Sequence, residues 1–265
     1  MNRRGFLKRS IATAAGLIGT SAWGKNARMT QVEQDAYDLA TYDFLMARVK
    51  FNSDSRTGDR WNITPIGDNN LLLALQKVMR CKVKTQEVTK SLRYGEAHHF
   101  NAIVDFDDIE RACRFPFLFM TSDGAYEFNQ QHKQNLKTYV EHGGFLLMDD
   151  CAFQYEGDFF FQHSKSILQE LFGAAFMRVP LDHEIFHNVY DMSEIGLPFV
   201  QGQRRGAWGV MIEDRLAVLL SPGDLHCGWC DFDYAWYGRH GQPGRQGYDE
   251  CIEMGVNIAT YAMSH

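Results

Sequence analysis

Residues 117–151 read FLFMTSDGAYEFNQQHKQNLKTYVEHGGFLLMDDC, and this stretch decides the fold. Phe117-Leu118-Phe119-Met120-Thr121 is a continuous apolar run beginning after Pro116, the pattern of a strand buried on both faces. From Asn129 to His142 the apolar residues Leu136, Tyr139 and Val140 recur at helical spacing, and Gly143-Gly144 stops the helix. Phe145-Leu146-Leu147-Met148 is again a continuous buried strand. Strand, helix, strand with short links is the parallel crossover unit.

The same alternation extends both ways. Upstream, Phe44–Val49 is strand-like, Asn69 or Asn70 caps a helix with Leu71, Leu72, Leu75 and Val78 inward, and an extended segment runs from Val83 to Val88. Downstream come a helix from Ser164 to Phe172 stopped by Gly173, a buried strand Leu216–Leu220, and a closing helix from Tyr248 to Met263. Asp191–Asp214 is less regular and reads as a hairpin or an antiparallel edge. The expectation is an α/β fold: a doubly wound, mainly parallel sheet in a single domain over residues 42–263.

The N-terminus reads as an address. Arg3-Arg4-Gly5-Phe6-Leu7-Lys8, followed by a weakly apolar Ala- and Gly-rich run from Ile11 to Trp23, resembles a twin-arginine export signal, with cleavage near Gly24. Residues 1–24 are then a signal peptide, 25–41 a lead-in, and the mature protein is periplasmic after handling by the twin-arginine translocase. The alternative is a basic amphipathic helix that stays on the chain. The pathway carries folded proteins, often with a cofactor inserted, which favours a bound metal or cofactor. The chain holds 27 basic residues against 33 acids. Losing Arg3, Arg4, Lys8 and Arg9 takes the mature net charge to about −10, which argues against nucleic acid as a partner. No apolar run reaches the roughly 18 residues of a membrane span.

In open α/β sheets ligands bind beyond the carboxyl ends of the strands. That rule gathers Asn52 with Gly58-Asp59-Arg60-Trp61, Ser122-Asp123-Gly124, Asp149-Asp150-Cys151, and Ser221 to Cys230 on one rim. Asp149 and Asp150 can hold a divalent cation, or one can cap a helix while the other accepts backbone N–H groups. Cys151 at a strand-to-helix turn is a candidate nucleophile, with His183 as its base. A structural Asp182–His183 pair is the bland reading of that segment. His183 and His187 lie four apart, but the segment follows Pro180 and departs from the His-Glu-x-x-His pattern. Asp224-x-His226-Cys227-x-x-Cys230 is the densest ligand-type cluster, either a metal site or, in an oxidising compartment, a disulfide. Asp149, Asp150, His183, Asp224 and His226 form the candidate metal set. Arg48 or Arg60 can hold an anion, Asp123 can bind a polar ligand, and Trp61 and Trp229 can wall its pocket. His98, His99 and His265 read as surface residues, and Phe159-Phe160-Phe161 as packing or an aromatic lid.

The order of these segments resembles a bacterial family of exported domains of unknown function. The resemblance runs from Gly58-Asp59-Arg60-Trp61 through Gly143–Cys151, Asp182–Phe186 and Asp224–Trp229 to Gly255–Ala262. Such domains look like the class I glutamine amidotransferase superfamily in fold, which implies a flavodoxin-like sheet. Cys151 stands near that superfamily's nucleophile position, but Asp150 and Ala152 flank it where the elbow carries glycines. The relatives also tend to carry a histidine at Asp123 and an acid at Cys230. Three functions follow as expectations: an envelope protein binding a metal ion or small polar ligand at the rim; a cysteine hydrolase of amides or esters using Cys151 and His183; or a non-catalytic partner-binding module of an envelope complex.

Overall fold

A computed structural model describes residues 29–55, 58, 60–86, 101–151, 158–200, 205–230 and 245–265, the side chains of 245–248 excepted. The signal reading, His98, His99 and Asp59 fall outside these residues.

The elements in chain order are α1 (Gln31–Thr41), β1 (Ala47–Val49), α2 (Pro65–Met79), β2 (Ala102–Val104), α3 (Ile109–Ala112), β3 (Phe117–Ser122), α4 (Gln130–Glu141), β4 (Phe145–Asp150), α5 (Phe159–Phe172), β5 (Phe176–Arg178), β6 (Trp208–Ile212), β7 (Arg215–Ser221), α6 (Leu225–Trp229) and α7 (Arg245–Ser264). The seven strands form one mixed sheet in the order β2-β1-β3-β4-β7-β6-β5. From β2 through β7 the neighbours are parallel. β6 turns back antiparallel on β7, and β5 runs antiparallel to β6. The irregular stretch therefore does end in a hairpin strand, closed onto β7 through Glu213 and Asp214.

The pleat sorts the central side chains between two cores. Phe117, Phe119, Phe145 and Leu147 join Leu71, Leu75, Trp229, Met254 and Ile258 on the α2–α6–α7 face. Leu118, Met120, Leu146 and Met148 join Leu136, Val140, Phe160 and Leu168 on the α4–α5 face. Both faces are thus covered, and this is why the central strands read as unbroken apolar runs.

Several boundaries differ from expectation for identifiable reasons. The helix expected to start at Asn69 or Asn70 starts at Pro65, a residue whose fixed φ suits the first helical turn. Asn69 instead pairs with the backbone of Gln86, and Asn70 donates to the Trp229 carbonyl at 2.9 Å. Of Phe44–Val49 only Ala47–Val49 is strand, while Phe44 makes a single bridge to Val83. The extended segment beyond Val83 is not strand as far as Gln86; Val88 falls outside the described residues. α5 begins at Phe159 rather than Ser164; Phe160 and Phe161 are fully buried and pack the core, while Phe159 is exposed. Five elements, β2, β5, α1, α3 and α6, carried no strand or helix expectation. β2 and β5 are three residues each, too short to show a period. α1 does have a signature: Thr30 and Glu33 form a reciprocal capping box.

Candidate functional site

Asp149 and Asp150 are the last residues of β4, not the loop after it. As neighbours on a strand they point to opposite faces. Asp149 accepts the backbone N–H groups of Leu225 and His226, at 3.0 and 2.8 Å. Asp150 accepts that of Phe161 at 2.7 Å. Each carboxylate therefore receives the first turn of a helix, α6 on one side and α5 on the other. Burial raises Asp149 to about 6, against the pull of those amides and the Ser221 hydroxyl. Burial also raises Asp150 well above the ordinary carboxylate value, and the charges of Asp149, Asp224 and Asp158 push the same way.

α6 brings the second half of the site. Its N-cap, Asp224, sits in the left-handed region (φ 59°), and its Oδ1 accepts Cys227 N–H at 3.2 Å. The other oxygen, Oδ2, lies 3.9 Å from Cys151 Sγ. Cys151 Sγ in turn lies 3.7 Å from Cys227 Sγ. Cys151, just past β4, and Asp224 and Cys227, just past β7, thus place two sulfurs and a carboxylate oxygen within 4.8 Å of one another. Cys151 and Asp224 are buried and Cys227 is half-buried. Cys230, the other half of the Cys-x-x-Cys pair, turns its Sγ to the His226 carbonyl at 3.4 Å. All six cysteines are thiols.

Beneath the cluster lies a fully buried ionic network. Arg48 meets Asp68 in a bidentate pair at 2.8 and 2.6 Å. Its guanidinium also donates to the Trp61 carbonyl at 2.8 Å, faces His226 Nε2 at 2.9 Å, and lies 4.6 Å above the Phe119 ring. Asn101 donates to the same Asp68 carboxylate. Burial alone would raise Asp68, but the Arg48 charge and the bonds from His226 and Arg48 outweigh it and hold the carboxyl far below its ordinary range. Burial lowers the pKa of His226 and the Arg48 charge lowers it further, against the Asp68 carboxylate, which raises it. α2 can approach that ring only because residue 67 is glycine: a Cβ there would stand 2.9 Å from it.

These placements redistribute the candidate residues. Asp224 joins Cys151 and Cys227, while Asp149 and Asp150 serve helix termini and His226 faces Arg48 and Asp68. Arg48 is engaged on all sides, so it is a core ion pair rather than an anion holder. Trp229 is 1% exposed, packs on Phe119 and donates to the Cys251 carbonyl, so it belongs to the core. Trp61 is partly buried against the α4–α5 core. Asp123 is buried where the chains after β1 and β3 close on each other, through Asp54 N–H to the Ala125 carbonyl and Glu127 N–H to the Asn52 carbonyl, both at 3.0 Å. His183 is the clearest correction. It packs on Tyr261, whose hydroxyl accepts Leu216 N–H at the start of β7. Cys151 follows the far end of the sheet, about 20 Å away at a strand's rise per residue. The Cys151–His183 pair is not formed, and His183 takes no part in the cluster. His187 instead faces the Asp182 carbonyl at 3.0 Å, across a 3-10 turn rather than an α-helical face.

Asp68, which sits in the first turn of α2, is the member of the network that the strand-end rule does not reach. A cavity of about 500 Å³ opens at the same rim on the antiparallel side, between residues 178–181, 195–199, 205–207 and Pro222-Gly223.

The fold and site describe an α/β domain with a thiol–carboxylate cluster at the carboxyl rim of its sheet. The chain matches the family described as Domain of unknown function (DUF4159) over residues 45–263, and belongs to it. No curated protein matches the chain.

Proposed function

We infer that this protein is an exported envelope protein that holds a thiophilic divalent metal ion at Cys151, Asp224 and Cys227. A fourth position is left for water or a small polar ligand. One observation carries the reading: the spacing of the donors. Two sulfurs each about 2.3 Å from a tetrahedral zinc-like ion lie about 3.8 Å apart, and a sulfur and a carboxylate oxygen about 3.6 Å apart. The separations of 3.7 and 3.9 Å fit such an ion with little movement. Charge supports it as well. Asp68, Asp149, Asp150 and Asp224 are all fully buried near this rim, whereas Arg48 is the buried cation among the described residues. Arg48 is paired with Asp68 and burial disfavours the charged forms of Asp149 and Asp150, so a dication beside Asp224 would stabilise negative charge among crowded carboxyls. Three protein ligands with one open position is the pattern of ion sites that bind or activate a small molecule, whereas closed four-ligand sites are structural.

Export rests on Arg3-Arg4 and the apolar run behind them; among the described residues no helix is long and apolar enough to cross a membrane. The parallel order β2-β1-β3-β4-β7 supports the doubly wound, flavodoxin-like reading of the sheet.

The test is a zinc titration of the purified protein against a chromophoric chelator. Wild type takes up one equivalent. Cys151→Ser, Asp224→Asn and Cys227→Ser each weaken binding by more than the 10- to 100-fold that loss of outer-shell partners costs. Uptake that is equal in all four proteins, or absent from wild type, overturns the reading.

A further inference from the structure

We propose that Cys151 and Cys227 are a disulfide-forming pair, and that their oxidation by a small disulfide closes the ion site. The proposal rests on the metal reading of the same cluster, since it makes metal binding and oxidation compete for the same two sulfurs.

Three observations point to this pair. The sulfurs are already in contact at 3.7 Å, so a bond of about 2.05 Å needs a movement of only about 1.7 Å. That movement is shared between Cys151, at the first residue past β4, and Cys227, in the short helix α6. The partner that sequence spacing suggests for Cys227 is otherwise engaged: Cys230 is 3% exposed and its thiol points to the His226 carbonyl. Lastly, the two thiols differ in access. Cys227 is half-buried, whereas Cys151 is 2% exposed. An incoming disulfide therefore meets Cys227 first.

The chemistry is thiol–disulfide exchange in two steps. Cys227, giving up its proton, attacks one sulfur of the small disulfide; the bond between the two small-molecule sulfurs breaks, and one thiol leaves. Cys151, giving up its proton, then attacks Cys227 Sγ and expels the second thiol. The protein dithiol is oxidised, the small disulfide is reduced to two thiols, and the two protons end on those leaving thiols. The product lacks two of the three donors that the ion needs.

The experiment uses the full chain, reduced and stripped of metal by a chelator, with oxidised glutathione as oxidant and zinc chloride as metal. Thiols are blocked at intervals and linkages mapped by mass spectrometry of unreduced peptides. A Cys151–Cys227 linkage is expected as the main product. Cys230→Ser should form it at an unchanged rate, and Cys151→Ser should stop at a glutathione adduct on Cys227. One equivalent of zinc added beforehand should slow the linkage by about tenfold or more, because metal-held thiolates are withdrawn from exchange. A linkage of Cys227 to Cys230, or an adduct first on Cys151, overturns the pairing while leaving the zinc titration intact. A Cys151–Cys227 linkage whose rate zinc leaves unchanged, in a protein that also takes up no zinc, overturns the metal reading and the competition with it. Zinc uptake without protection overturns the competition alone.

Discussion

At residue scale the Arg48–Asp68 pair is the most consequential contact beneath the site, with both side chains fully buried. Breaking such a pair from one side leaves a charge with no partner in low dielectric. Asp68→Asn should cost about 3–5 kcal/mol in denaturant unfolding at neutral pH. Because the folded Asp68 pKa is depressed, its contribution is complete above the unfolded value of about 3.9 and is lost as pH falls through the folded value. The gap between wild type and Asp68→Asn should therefore narrow only in acid below about pH 4. A gap that closes nearer neutrality would contradict the depressed pKa. His183 behaves in the opposite sense. Burial lowers its pKa, with smaller opposing and reinforcing charges around it. Its neutral form is favoured in the fold, and stability falls as pH drops below about 6.5. His183→Gln should flatten that loss and leave zinc uptake and Cys151 labelling unchanged. A fall in Cys151 reactivity would reinstate the base role that the structure removes.

At the scale of elements, α6 decides the site, and its position depends on close packing against α7. A Cβ at Gly228 would run into the Cys251 side chain and stand 3.0 Å from Val200 Cγ2. Gly228→Ala should cost about 1–3 kcal/mol by overpacking and weaken zinc binding by moving Cys227; adding Cys251→Gly should restore much of both. Thermal unfolding and the chelator titration read the two effects separately. How legible each element was follows from length and burial. Phe117–Ser122, Phe145–Asp150 and Arg215–Ser221 are buried on both faces and stand out as apolar runs. β2 and β5, three residues each, present no pattern to read and are held by neighbours distant in sequence, whereas β1 lies within the longer strand-like run Phe44–Val49. The rule that ligands sit beyond strand ends located the loops bearing Cys151, Asp224 and Cys227. It could not say which side chains within a loop turn toward one another. His226 and Cys227 are adjacent, yet one faces the ionic network and the other the thiol of Cys151.

At the scale of the whole molecule, the proposed ion would join segments that follow β4 and β7, so its binding energy would be folding energy. Zinc at 100 times its dissociation constant should stabilise the protein by about 2.7 kcal/mol, seen as a zinc-dependent rise in unfolding temperature that Asp224→Asn abolishes. Export is tested separately. Replacing Arg3 and Arg4 by lysine should hold the protein in the cytoplasm, and unchanged periplasmic recovery on fractionation would remove that reading.

The consecutive aspartates that end β4 have a wider consequence. Because they point to opposite sides of the pleat, a single dipeptide pins the overlying α6 and the underlying α5 at the same height. A slip of β4 by one position would put Met148 or Cys151 at one of the two helix starts, undoing that mooring while turning every side chain of the strand to the other face. The central strand thus carries its own alignment key, and the two helical layers cannot drift independently of each other.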